Sequence, residues 1–264
     1  MISLLKKMVI GTRAEPLARR VFAILFRKSG AENLSDIYEH NRAYDEQTSE
    51  VMKRVLKRGS NCVDVGCHVG AVLREIMSFS PQGAHFAFEP LPHLYAGLLK
   101  SFSEDSNVYI SDYALSDSTG TSSFQHVVTN PAYSGFLKRR YDRPNEEIEQ
   151  ITVKKELLDN LIPNDVRIDF IKIDVEGAEL EVLRGAVKII KTWRPVMVFE
   201  HGLGAADYYG TSPESIYDLL NEACGLRLFI MLDWIESDGK NSLNRKEFCE
   251  QFNSGNNYYF MAAA

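Results

Sequence analysis

An apolar, β-branched run, Ile168-Asp-Phe-Ile-Lys-Ile173, stops at Asp174-Val-Glu176, turns on Gly177 and passes at once into a helical pattern that reaches Gly185. This is the pattern of a buried strand that hands two carboxylates to a strand-to-helix corner. Open α/β sheets hold their ligands in crevices at the carboxyl ends of strands. A second corner of the same kind lies upstream, in Cys62-Val-Asp-Val-Gly-Cys-His-Val-Gly70. Together the two corners imply a site for a nucleotide-like cofactor and an acceptor.

The rest of the chain repeats the β-α alternation. Strands are expected at 61–65, 84–88, 107–111, 168–173 and 195–199, and helices at 70–79, 93–102, 178–192 and 213–223. Residues 121–128 and 151–154 read as extended, with a polar loop over 129–150 and closing strands at 228–232 and 258–261. Strands this apolar are covered on both faces. The expected architecture is therefore a mostly parallel, doubly wound sheet with helices on both faces over residues 59–264, preceded by an N-terminal helical appendage over 1–58. At 264 residues, 45% hydrophobic and 25% charged, the chain can build one sizeable core. The net charge of −6 argues against a nucleic-acid partner. Four cysteines with no C-x-x-C pair imply buried thiols and a reducing, cytoplasmic setting. Residues 2–28 interleave apolar positions with Lys6, Lys7, Arg13, Arg19, Arg20, Arg27 and Lys28, but lack the ~18-residue apolar run of a spanning helix and the pattern of a secretory signal. They read either as a packed appendage or as a basic amphipathic helix for peripheral contact with an acidic membrane or a protein.

Three corners offer cofactor contacts. Asp64-x-Gly66-x-x-x-Gly70 follows the first strand and opens a helix whose first amides are free. It departs from the dinucleotide fingerprint G-x-G-x-x-G, because His68 stands at the second glycine position and Ala71 at the third. An acid two residues before Gly66 suits a cationic ligand, such as the ammonium and sulfonium of S-adenosylmethionine. Glu89 ends the second strand, where two acceptor oxygens suit ribose hydroxyls. Asp112 and Tyr113 follow the third strand, where an acid or backbone group would meet an adenine amino group. On the acceptor side, Lys172, Asp174 and Glu176 alternate and so share one side of the strand end. Asp174 and Glu176 would orient or deprotonate a hydroxyl while Lys172 keeps them ionised; the alternative is a purely structural Lys172–Asp174 pair. Glu200 and His201 end the next strand, and His201 has the ordinary pKa of a base near neutrality, about 6.5. Asp174, Glu176, Glu200 and His201 could also form an oxygen-rich metal site, but no local ligand spacing demands one, and none is expected. The polar loop carries Tyr133, Lys138, Arg139 and Arg140. It reads either as a cover for an acidic or sugar-like substrate or as a solvated connection.

These segments resemble the FkbM family of S-adenosylmethionine-dependent methyltransferases. The resemblance rests on Tyr44-Asp-Glu-Gln-Thr48, Val63-Asp-Val-Gly-Cys-His-Val-Gly70, Phe88-Glu-Pro90, Ala114-Leu-Ser-Asp117 with Gly120, and Ile168–Glu179 with Gly185-Ala186. Cys67-His68 departs from the family's usual Ala-Asn, so His68 would either meet the methionine carboxylate or line the turn. The resemblance implies a class I methyltransferase (Rossmann-like) sheet of seven strands with the last antiparallel. It also implies S-adenosylmethionine as cofactor and a hydroxyl on a sugar, glycan or secondary metabolite as acceptor. Two rival readings are an NAD(P)-dependent oxidoreductase on a similar sheet and a non-catalytic binding protein that kept the fold.

Overall fold

The computed structural model describes residues 34–141 and 145–264. The basic segment 2–28 lies outside the described residues. Helix α1 spans Leu34–Val55, and residues 46–264 form a compact unit. Among the described residues, no helix is long and apolar enough to cross a membrane.

The compact unit is built on a seven-stranded sheet. Its strands are β1 (Cys62–Val65), β2 (His85–Phe88), β3 (Val108–Ser111), β7 (Phe170–Ile173), β8 (Val196–Glu200), β9 (Arg227–Phe229) and β10 (Tyr259–Ala263). The order across the sheet is β3-β2-β1-β7-β8-β10-β9. All neighbours are parallel except β10, which runs antiparallel to both β8 and β9. Chain order reverses between β1 and β7, which opens the crevice typical of such sheets above their carboxyl ends. Strands β1, β2 and β7 are buried at every position. On one face Val63, Val65, Ile171, Ile173, Met197 and Phe199 form part of the main core with the apolar side of α5 (Glu179–Arg184) and α6 (Val187–Trp193). On the other, Ala87 packs with Leu73 of α2 (Ala71–Phe79) and Leu98 of α3 (Pro92–Ser101). Strand alternation also puts Asp64 and Lys172 on this second face, and the register sets them directly opposite one another.

A second, three-stranded sheet is inserted beside the crevice. It contains β4 (Tyr113–Leu115), β5 (Gly120–Val127) and β6 (Ile148–Glu156), in the order β4-β6-β5. The polar stretch expected as one loop over 129–150 is therefore shorter, because β6 pairs with β5 from Ile148 onwards. A 3-10 turn over Pro131–Tyr133 and a bridge between Gln125 and Gly135 fold the remaining stretch back as a strap. Three further differences are local. The helix expected over 178–192 is two helices separated at Gly185-Ala186, where a Cβ on Gly185 would lie 2.1 Å from the Ser116 carbonyl oxygen. The helix expected over 213–223 is α7 (Pro213–Tyr217) continued by a π-helical turn, Asp218–Ala223. The strand expected over 228–232 stops at Phe229 and is followed by α8 (Met231–Ser237) and α9 (Arg245–Asn253). Asn244 and Glu247 close α9 with a reciprocal capping box.

Candidate active site

The β1–α2 corner sits against the β7–α5 corner. Gly66 has φ 75°, and a Cβ on it would fall 1.9 Å from the Asp174 carbonyl oxygen, so no other residue fits. The Gly66 and Cys67 amides donate to the Phe88 carbonyl at 3.0 and 3.1 Å. This ties the end of β1 to the end of β2. Glu89 completes the tie: Oε2 accepts from the His68 amide at 2.9 Å and Oε1 from the Leu91 amide at 3.0 Å. Glu89 is buried, which pushes its pKa up against the pull of those two amides. His68 holds a left-handed backbone, φ 51°, and its half-buried ring is pushed towards the neutral form by burial and by Lys172.

These residues form one wall of a pocket of about 670 Å3, counting its open mouth. Gly66, His68 and Glu89 share this pocket with Tyr113, Asp174 and Glu176, and with Phe136 of the strap. The strap is anchored at three points. The Ser134 hydroxyl accepts from the Val127 amide at 3.0 Å, the Tyr209 phenol accepts from the Leu137 amide at 3.0 Å, and the Arg140 amide donates to the Gly204 carbonyl at 2.9 Å.

Beneath the pocket Lys172 lies between two carboxylates. Its Nζ is 3.2 Å from Asp174 Oδ2 and 3.9 Å from Asp64 Oδ1. Burial would strip its proton, but Asp174 and Asp64 outweigh burial and hold it as ammonium. Asp64 is 1% exposed, and neither carboxylate oxygen has a hydrogen bond of ordinary geometry. Burial raises its pKa. Asp174 is differently placed. Burial would raise its pKa, but Lys172, the Tyr259 hydroxyl at 2.6 Å and the Glu200 carboxyl together hold it below the ordinary value. Glu200 carries the complementary shift: burial first, then the charge of Asp174, push its pKa well up.

The corner itself is shaped by two glutamates. Glu176 sits at φ 61°, unusual for a residue with a Cβ, and its carboxylate contacts the Arg139 guanidinium from the strap. Glu179 is buried at the start of α5 and accepts from the Gly177 and Val175 amides at 3.0 and 3.3 Å. Burial pushes its pKa up to about 7 against those bonds. Ligand oxygens of Asp174, Glu176 and Glu200 lie within 4.8 Å of one another. Lys172 and the Tyr259 hydroxyl contact the Asp174 carboxylate, and Arg139 contacts that of Glu176.

Three expected site residues stand elsewhere. Gly70 faces the α2–α3 side, where a Cβ would lie 2.8 Å from the Phe102 ring and 2.9 Å from Leu98. The His201 ring is fully buried, 4.5 Å from the Phe252 ring and stacked with Phe248, and neither ring nitrogen has a partner. Burial drives its pKa down to about 3, which leaves it a neutral core residue and not a base for the pocket. Asp112 turns to the surface and pairs with Lys154 at 2.8 Å. Its neighbour Tyr113 is the one that lines the pocket. Conversely, Tyr259 and Tyr209 carry contacts that the sequence reading missed. Tyr259 reaches Asp174 only because β10 pairs with β8 so that Tyr259 faces Glu200.

A seven-stranded sheet with one antiparallel strand, its crevice above β1, β2 and β7 and acids on both sides of it, defines the class I methyltransferase fold. Residues 64–228 match the methyltransferase FkbM domain, and the chain belongs to that family of methyltransferases. Two curated relatives are each 27% identical: methyltransferase sdnD of Sordaria araneosa and hexuronic acid methyltransferase AglP of Haloferax volcanii. The matches cover 50% of this chain and 66% of the first, and 61% of this chain and 61% of the second. The chain thus matches less than two thirds of the length of either relative. A crystal structure of methyltransferase FkbM from Methylobacillus flagellatus superposes with a TM-score of 0.44 at 17% identity, over 64% of this chain and 37% of that one.

Proposed function

We propose that this methyltransferase uses S-adenosylmethionine and places the methyl group on a hydroxyl of a sugar, glycan or secondary metabolite. The observation that carries the reading is Asp174, paired with Lys172 and the Tyr259 hydroxyl and lining the same pocket as Gly66, Glu89 and Tyr113. The cofactor fits the residues present: Asp64 is a buried acid without a hydrogen-bond donor of its own, beneath a corner suited to a cationic ligand. Glu89 keeps lone pairs for ribose hydroxyls beyond the two amides it accepts from. Tyr113 offers its ring and backbone on the adenine side.

The cofactor supplies an electrophilic methyl group, and the protein's share is positioning and proton handling. An acceptor hydroxyl near Asp174 would give up its proton to that carboxylate as its oxygen takes the methyl group. Lys172 and Tyr259 keep Asp174 ionised and fix its direction, so both act as positioning residues. Glu176 would hold a second hydroxyl of the acceptor. Phe136 and the other apolar side chains of the strap would exclude water from the crevice. AglP's name places a uronic acid among the substrates of a relative, which supports the sugar reading.

Thermal unfolding in the presence of S-adenosylhomocysteine tests the cofactor. Free ligand at 100 times its dissociation constant should add about 2.7 kcal/mol. Stabilisation by a nicotinamide dinucleotide alone would overturn the proposal. Methyl-tritiated S-adenosylmethionine, incubated with cell extract, should label a product whose lability to mild base separates an ether from an ester. Asp64→Ala should abolish the stabilisation by S-adenosylhomocysteine.

A further inference from the structure

Among the described residues that line the pocket, only His68 carries an imidazole. Its backbone is fixed: the amide donates to Glu89 Oε2 at 2.9 Å, and the Gly70 amide closes the same turn on the Cys67 carbonyl at 2.8 Å. The left-handed φ of 51° is one that histidine and asparagine tolerate better than most residues. The ring is half-buried and has no hydrogen-bond partner among the described residues. The charges around it are of both signs. Burial opposes a proton on the ring, as do Lys172 from β7 and His93 from α3, while Asp174 at the end of β7 favours one. Asp64 lies on the far side of Lys172. The other two pocket acids are engaged, Glu89 by the His68 and Leu91 amides and Glu176 by Arg139. The ring therefore rests neutral. A cationic ligand in the same pocket adds to the opposition, and a neutral one does not.

We propose that His68 receives the proton released by the acceptor hydroxyl, and that loss of the cofactor's positive charge on methyl transfer is what lets it do so. The inference rests on the S-adenosylmethionine reading and carries its proton handling one step beyond Asp174. The acceptor's O–H bond breaks and its oxygen bonds the methyl carbon, while the electron pair of the carbon–sulfur bond stays on sulfur. The proton passes by way of Asp174, and an N–H bond forms on the His68 ring. One positive charge leaves the sulfur and one arises on the imidazole, so the net charge of the pocket is unchanged. Asp174 is ill suited to keep the proton, because Lys172 and the Tyr259 hydroxyl both favour its carboxylate. The half-exposed ring of His68 can hand it on to solvent.

The test reads the ring itself and needs no acceptor. The His68 ring is titrated by NMR in complexes with S-adenosylmethionine and with S-adenosylhomocysteine, which differ by one methyl group and one positive charge. Its pKa should lie about one pH unit lower in the S-adenosylmethionine complex. By linkage, the affinity ratio of the two ligands, measured by calorimetry, should move against S-adenosylmethionine by about tenfold as the pH falls from 8 through the two pKa values. His68→Asn keeps a residue suited to the left-handed backbone and cannot titrate, so it should lose that movement. The variant also identifies the His68 signals among those of the chain's six histidines. If His68 only shaped the turn, its ring would titrate alike in both complexes, and the variant would keep the pH dependence of the unaltered protein. Either result overturns the inference. Binding of neither ligand would instead overturn the S-adenosylmethionine reading, so the two failures are distinguishable.

Discussion

Asp174 and His201 show how burial alone separates two candidates for one role. Both end neighbouring parallel segments, and both are titratable. Asp174 is surrounded by donors, so it stays charged. His201 is surrounded by phenylalanine rings, so it stays neutral with two unpartnered nitrogens. Its folded pKa of about 3 lies below the ordinary 6.5. The unfolded chain therefore binds the proton first, and stability is full above pH 6.5 and lost as the pH falls towards 3. Between pH 6.5 and 5 the loss from this one group is on the order of 2 kcal/mol. His201→Leu fills nearly the same space without titrating, so denaturant unfolding of the variant should lose correspondingly less stability over that interval. Parallel pH curves for the two proteins would show that the ring is not buried neutral. The sequence revealed a histidine at a strand end, but not the aromatic residues above it, which arrive from α9. The corner placement of Gly66 and Glu89 at the pocket was legible because a tight corner writes its geometry into adjacent residues. Tyr259 was not, since it meets Asp174 across a separation of 85 residues.

At the scale of elements, legibility followed sequence locality in the same way. The parallel strands announced themselves as apolar runs because both of their faces are covered. The inserted sheet did not: β4 has three residues, and β6 alternates many exposed charged and polar positions with few buried ones. Helix α9 did carry a local signal, Asn244-Arg-Lys-Glu247 ahead of Phe248, which marks a capping box. The β7–α5 connection has a pH dependence of its own. Glu179 folds it by accepting from two amides, at the cost of burying a carboxyl whose pKa rises to about 7. A raised carboxyl pKa has the opposite sign to His201. The contribution is fully present below the ordinary value of 4.5 and is lost as the pH climbs through 7. Glu179→Gln keeps an acceptor for the Gly177 and Val175 amides and cannot ionise. The variant should match the unaltered protein at pH 4.5 and exceed it at pH 8 by on the order of 3 kcal/mol. A constant difference at all pH values would place the carboxyl in a far wetter setting than the structure does.

For the molecule as a whole, the crevice is where two independent sheets meet. The large sheet contributes the Gly66 corner and Glu89, and the inserted sheet contributes the strap through Ser134 and Phe136. The strap is held by few backbone contacts: the Gln125–Gly135 bridge, the Leu137 amide on Tyr209, and the Arg140 amide on Gly204. Segments with few such bonds open locally at a free energy below that of global unfolding. A ligand that fills the pocket touches both sheets, so it must stabilise the closed strap as well as the corner. Saturation at 100 times the dissociation constant lowers the population of any ligand-incompetent open state about 100-fold. Hydrogen exchange should therefore slow at the Gly135 and Leu137 amides together with those of Gly66 and Cys67 when S-adenosylhomocysteine is added. Slowing confined to the β1–α2 corner would mean that the cofactor half of the pocket closes without the strap. The strap would then answer to the acceptor alone.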